Sequence, residues 1–285
     1  MATTPPLPTP EGPAHRLPIQ PGSSRSPARG TVPIRAFFFD TYGTVCDFYQ
    51  PFRRTFDRLA RAKGVACDAG LLGIEWRNAY VRATFLDALS GAAFRPLKAI
   101  QRENLAALLA ARFPAPVSAE ELDDLTAVWN QLDAWPDSVP GLTALKELAV
   151  IAPLSNGNFD DMVHLARHAS LPWDIIVGSS VARAYKPHPT IYLESAAALC
   201  LPPEHVCMVA AHQVDLQFAA GHGMQTAFVT RPEEFGGAIK PKDPQPGVDY
   251  LSAAEVFPEG EWTFMARDFL DLAAQCARAS ASAGR

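Results

Sequence analysis

The chain has 285 residues, 48% hydrophobic and 19% charged, enough apolar material for a globular core and a second small domain. Its formal net charge is −5 and no Lys/Arg run exceeds two residues, which excludes the basic face that nucleic acid selects. No stretch approaches the roughly 18 apolar residues of a spanning helix, and five scattered cysteines without a C-x-x-C or zinc-ligand spacing read as reduced thiols of a cytoplasmic protein with no membrane partner.

Residues 1–30 hold eight prolines among Ser, Gly and Thr, too little apolar surface to offset ordering entropy, so 1–32 is expected to be a disordered tail. The run Ile34-Arg35-Ala36-Phe37-Phe38-Phe39 then stops at Asp40-Thr41-Tyr42-Gly43-Thr44, as a buried parallel strand does on entering a loop. Helical periodicity follows over 51–63, 69–89, 97–112 and 118–132, with no strand between. From about residue 140 the pattern alternates: helix 142–147, strand 148–154, helix 159–169, strand 175–177, helix 190–199, strand 206–210, helix 216–222, strand 226–229. A late helix is expected over 262–277. Alternation of this kind predicts an α/β fold, a Rossmann-like parallel sheet with helices on both faces. The core comprises 33–48 and 136–280, and a helical cap is inserted over 49–135.

In such sheets ligands bind beyond the carboxyl ends of the strands. Asp40 ends the first strand, with Thr44 four residues on able to hydrogen-bond its carboxylate. Leu154-Ser155-Asn156-Gly157 ends the next, a hydroxyl, an amide and exposed N–H groups ahead of a helix, suited to an anion. Tyr185-Lys186-Pro187-His188-Pro189 is a stiffened loop with Tyr192 beyond it, and Val209 to Asp215 brings a final acid to the same rim. Each piece alone reads as a cap, a turn or a solvated lysine. His164 and His168, at i,i+4, lack the glutamate and third ligand of a zinc helix.

Asp, Ser, Lys and Asp at successive strand ends resemble the four motifs of the haloacid dehalogenase superfamily, over nearly all of the chain from Ile34 to about Ala277. Magnesium-dependent phosphatases of that superfamily carry a second Asp two residues after the nucleophile and another four residues before the last acid. Here those positions are Tyr42 and Ala211. Phe39-Asp40-Thr41-Tyr42-Gly43-Thr44-Val45 instead resembles the opening of the (S)-2-haloacid dehalogenases, and the rest is carried over as implied by that resemblance. Asp40 is the nucleophile, Lys186 the catalytic lysine, Tyr192 the tyrosine that helps hold it, and Asp215 the last acid. Arg77, after Trp76, receives the halide, and Ser155 and Asn156 bind substrate, with Tyr42 beside them. The resemblance implies no metal and no organic cofactor, a small 2-haloacid and halide as the ligands, and leaves a homodimer open. The family's usual Ser-Ser-Asn before the last acid is here Ala210, Ala211 and His212, so an imidazole able to accept a proton near neutral pH stands as the candidate general base. The rival readings are a phosphatase of the same superfamily and a non-catalytic binder of small acids.

Overall fold

The computed structural model describes residues 32–237 and 260–283; the expected tail, save Val32, lies outside them. The first strand, β1 (Ala36–Phe39), is buried along its whole length. It is followed by β2 (Cys46–Asp47), the helices α1 (Tyr49–Lys63), α2 (Ala69–Ser90), α3 (Leu97–Arg112) and α4 (Ala119–Thr126), and β3 (Asp133–Ala134). The β/α alternation comprises α5 (Ser138–Lys146), β4 (Val150–Ser155), α6 (Phe159–Ala169), β5 (Val177–Gly178), α7 (Ser179–Ala182), α8 (Pro189–Ala197), β6 (Val206–Ala210), α9 (Gln213–Gly221) and β7 (Gln225–Val229). After the second described segment begins come β8 (Phe264–Ala266) and α10 (Phe269–Ala283).

One six-stranded parallel sheet runs β5-β4-β1-β6-β7-β8. Both faces are covered, which is why its strands read as continuous apolar runs. Strand alternation sends Phe37 and Phe39 into one apolar cluster and Ala36 and Phe38 into the other. The first cluster continues without a break into the helical insert through Phe48, Phe52, Trp76 and Trp129. Where the chain enters and leaves that insert, β2 and β3 pair antiparallel, Cys46 opposite Ala134 and Asp47 opposite Asp133.

The local signals have visible causes. Asp68 caps α2 by accepting from the Leu71 N–H, and Ser118 and Glu121 form a reciprocal capping box on α4. Two expected helices are corrected. The one over 118–132 stops at Thr126, tightens into a 3₁₀ turn at Ala127–Asn130 and becomes β3. The one over 262–277 is β8 followed by a helix that starts at Phe269, because Phe264 and Ala266 pair beside β7 as the edge of the sheet. No helix among the described residues is long and apolar enough to cross a membrane.

Candidate active site

Strand order reverses at β1, which has β4 on one side and β6 on the other. The carboxyl end of β1 is therefore the topological switch point, where neighbouring loops part and leave a crevice. Asp40 stands there, its N–H donating to the Val209 carbonyl at 3.0 Å. The Thr44 hydroxyl donates to Asp40 Oδ2 at 2.7 Å and accepts from the Ala211 N–H at 3.0 Å, tying the first and last motifs together.

Lys186, in the loop between α7 and α8, lies between two carboxylates, with Nζ 3.2 Å from Asp40 Oδ1 and 2.5 Å from Asp215 Oδ2. The other oxygen of Asp215 accepts from the Tyr192 hydroxyl at 2.7 Å, so both oxygens of that acid are occupied. The Lys186 backbone N–H donates to Asn156 Oδ1 at 2.9 Å, which leaves the Asn156 amide nitrogen for a ligand. Ser155 lies behind the cavity lining. Its hydroxyl oxygen accepts from the Gly157 N–H at 3.1 Å and shapes the Asn156 turn.

His212 follows β6 and faces carboxylates at both ring nitrogens. Nδ1 is 3.1 Å from Asp40 Oδ2, and Nε2 is 2.8 Å from Glu234 Oε1. Glu234 is fully buried in the loop after β7, and nothing in the sequence motifs had marked it. Its Oε1 rests against Gly43, whose φ is +91° and whose missing Cβ would lie 2.1 Å from that oxygen. Glycine there serves both the turn and the acid's approach. Arg231 fixes the same loop with two bonds to Asp137, at 2.8 and 2.9 Å, and a third to the Thr44 carbonyl at 2.7 Å. From α2, buried Arg77 brings Nη2 to 3.3 Å from His212 Nε2 and 3.8 Å from Glu234 Oε1, its guanidinium near the rings of Phe48 and Phe235.

Three cations, Arg77, Lys186 and His212, thus interlock with three carboxylates, Asp40, Asp215 and Glu234. Burial alone would raise the Asp40 pKa, but Lys186, His212 and Thr44 together hold it well below the ordinary carboxylate range. Burial would lower the pKa of His212, but Glu234 and Asp40 outweigh it and raise it well above 6.5, so the imidazolium form is favoured at rest. Lys186 is likewise raised, Asp215 and Asp40 overcoming desolvation. Six charges removed from water are tolerable only because each faces its opposite.

The cavity above them is about 90 Å³, room for a few heavy atoms. Asp40, Arg77, Asn156, Lys186, His212 and Asp215 supply its polar wall, while Tyr80, Val81, Phe85, Val214 and Phe218 supply the apolar one. Tyr42 and Tyr192 also border it, and the buried Tyr42 hydroxyl has no hydrogen-bond partner among the described residues. Of the sequence-predicted residues, all but Thr44 and Ser155 line this cavity; Thr44 binds Asp40, which does, and Ser155 accepts from the Gly157 N–H in the turn that carries Asn156. Among the described residues no group of three His, Cys, Asp or Glu is arranged to hold a metal ion. An ionised carboxylate with cations on two sides, at the base of a small half-apolar cavity, can act as a nucleophile toward an uncharged carbon of a small anion.

The chain is similar to proteins of known activity. The family model described as haloacid dehalogenase-like hydrolase matches residues 34–223. A solved defluorinating L-2-haloacid dehalogenase is 39% identical, over 86% of this chain and 95% of that one, with a TM-score of 0.75. The (S)-2-haloacid dehalogenase 4A of Burkholderia cepacia is 29% identical over 204 residues, 70% of this chain and 84% of that protein. The L-2-haloacid dehalogenase of Xanthobacter autotrophicus, solved with chloropropionic acid covalently bound, is 25% identical over 85% of this chain and 97% of that one, with a TM-score of 0.69.

Proposed function

The chain belongs to the haloacid dehalogenase-like hydrolases, within the (S)-2-haloacid dehalogenase family, and from that premise we propose that it hydrolyses small (S)-2-haloalkanoic acids to (R)-2-hydroxy acids and halide through an ester on Asp40. The observation that carries the reading is the Asp40 carboxylate itself, held ionised by Lys186 and His212 beneath a cavity sized for two or three carbons. Its neighbours at the positions of the phosphatase acids are a phenol and a methyl, Tyr42 and Ala211. The covalently bound chloropropionic acid in the Xanthobacter protein supports an ester of the same kind here.

In the first step an Asp40 oxygen forms a bond to C2 while the carbon–halogen bond breaks on the opposite side, inverting the carbon. Halide leaves with the electron pair toward Arg77 and the Asn156 amide, and the substrate carboxylate rests at the turn that Ser155 fixes. Lys186 keeps Asp40 charged and aimed, so orientation and electrostatics act together. Forming the ester removes one of the two negative charges facing His212. With that charge gone the imidazolium is held less tightly, and its proton is lost to solvent as the halide leaves.

Neutral His212, backed by Glu234, is the base for the second step. Water adds to the ester carbonyl carbon and gives a proton to His212, the bond to the product oxygen breaks, and the departing alkoxide takes the remaining proton. Asp215, with both oxygens occupied by Lys186 and Tyr192, anchors the lysine. The covalent route is tested by a single turnover in oxygen-18 water with enzyme in excess. Product hydroxyl should come unlabelled from Asp40, and the label should appear in the Asp40 peptide; labelled product with an unlabelled peptide would mean direct attack by water. Magnesium-dependent phosphate release without halide release would instead favour the phosphatase reading.

A further inference from the structure

The loop that carries Lys186 is clasped by the cap at the residue before the lysine. Between α2 and α3 the cap chain turns at Gly91, in the left-handed region at φ +67°, and lays residues 92–96 against the core segment 182–188. The Tyr185 hydroxyl donates to the Arg95 carbonyl. The Phe94 ring packs on the Tyr185 ring, centroids 5.1 Å apart, and the Arg183 guanidinium sits 5.0 Å from the same Phe94 ring. Arg95 is in turn fixed to the cap helix by Glu103, at 2.9 and 3.0 Å. Tyr185 is buried, and burial, with Asp87 nearby, raises its pKa and keeps the phenol a donor.

Tyr185 precedes Lys186 directly in the chain. Lys186 is held by Asn156 at its backbone and by two carboxylates at its tip, while the residue before it is fastened to the cap. A cap that lifts must therefore break the Tyr185–Arg95 hydrogen bond and two ring contacts beside the peptide that sets the course of the lysine. We propose that Tyr185 is a positioning residue: through its hydrogen bond to the Arg95 carbonyl and its packing on Phe94, it places Lys186 against Asp40 only when the cap loop is seated on the core. The inference rests on the reading of Lys186 given above. It assigns the clasp Phe94–Arg183–Tyr185 to the rate of the chemical steps rather than to substrate affinity.

The test is Tyr185→Phe, which keeps the ring and loses the donor, studied with and without Lys186→Gln. Carbon alkylation is followed as halide release and as the mass increase on the Asp40 peptide. Tyr185→Phe should lower kcat and single-turnover alkylation about tenfold, with KM within about twofold and the melting midpoint nearly unchanged. In the Lys186→Gln background the same change should add nothing, because a residue acting through another loses its effect once that residue is gone. Arg183→Asn, which suits φ +50° and removes the cation from Phe94, should reproduce a smaller loss in kcat. Wild-type kinetics for Tyr185→Phe, a rise in KM with kcat intact, or a full tenfold loss added to Lys186→Gln would each overturn the proposal. Wild-type alkylation by Lys186→Gln alone would instead overturn the role given to the lysine.

Discussion

The rim of the sheet and the inserted cap build the two halves of one cavity from opposite materials. The rim is ionic: Asp40 follows β1, His212 and Asp215 follow β6, Glu234 lies in the loop after β7 and Lys186 in the loop between α7 and α8, each within hydrogen-bond reach of another charge. The cap is aromatic: Phe52, Trp76, Tyr80 and Trp129 meet with centroids 4.6 to 5.4 Å apart, joined from the core by Tyr42; Tyr80 and Tyr42 carry this packing to the cavity, and Arg77 is the charge the cap brings there. Strands and their hydrogen-bonded neighbours hold atoms to fractions of an ångström, which nucleophilic chemistry requires, whereas a packed aromatic wall tolerates substitution and shapes a substrate. Chemistry should therefore fail when the rim is altered, and size selectivity should change when the wall is.

The largest expected effect is at the nucleophile. Asp40→Asn should lower halide release at least about a thousandfold, about 4 kcal/mol of barrier, because a neutral amide is a poor nucleophile. A variant within about tenfold of wild type would break the assignment of chemistry to the rim.

Next come the proposed base, His212, and Glu234 beside it. His212→Ala should still be alkylated and should accumulate the ester, seen as a mass increase at Asp40. Glu234→Gln should slow ester hydrolysis by about ten- to a hundredfold and leave alkylation less affected. The same pair has a pH signature in stability. His212 has its pKa raised in the folded state, so its contribution is complete below about 6.5 and is lost as pH rises through the raised folded value. Melting midpoints of the wild type should therefore fall on the alkaline side, and Glu234→Gln should move that fall to lower pH. Asp40, with its pKa lowered, contributes in the opposite sense, present above about 3.9 and lost as pH falls toward its folded value. An alkaline limb identical in both proteins would remove Glu234 from the network.

Arg77→Lys keeps the charge but loses the planar fork between His212, Glu234 and the cavity. Turnover should drop about tenfold, or about 1.4 kcal/mol, and unchanged kinetics would reduce the cap to a wall. The smallest expected effect is that of chelation. Exhaustive EDTA treatment should change halide release by less than about twofold, and loss of activity restored by magnesium would contradict the charge balance drawn from Lys186 and His212.

What could be read in advance follows the same division. Asp40 was legible because β/α alternation says where the first strand ends, whereas Lys186, a solvated lysine when read alone, and Asp215 took on roles only through the joint resemblance of the four motifs. Thr44 followed from its spacing to Asp40. Glu234 was not legible: its Arg-Pro-Glu-Glu loop carries no periodicity or motif, and its meaning comes from Gly43 and His212, almost two hundred and some twenty residues away in the chain. Ser155 was placed in the right turn, yet its bond to the Gly157 N–H is a detail of backbone geometry that residue types do not specify. In the cap, 3.6-residue periodicity located α3 to its ends, while the β2–β3 ribbon was missed because two-residue strands have no period. β8 was missed because Phe264-Met265-Ala266 suits a helix as well as a strand, and only the open edge of β7 decides between them.

The pairing of β1 with β6 has one more consequence. Phe39 and Val209 are register partners, and the residues beyond them deliver Asp40 and His212. Asp40 and His212 are thus carried by neighbouring strands, about 4.8 Å apart, whose pairing does not involve the cap. A graft of foreign helices between β2 and β3 should therefore change which ligands fit the cavity while leaving Asp40 and His212 on the same pair of strands.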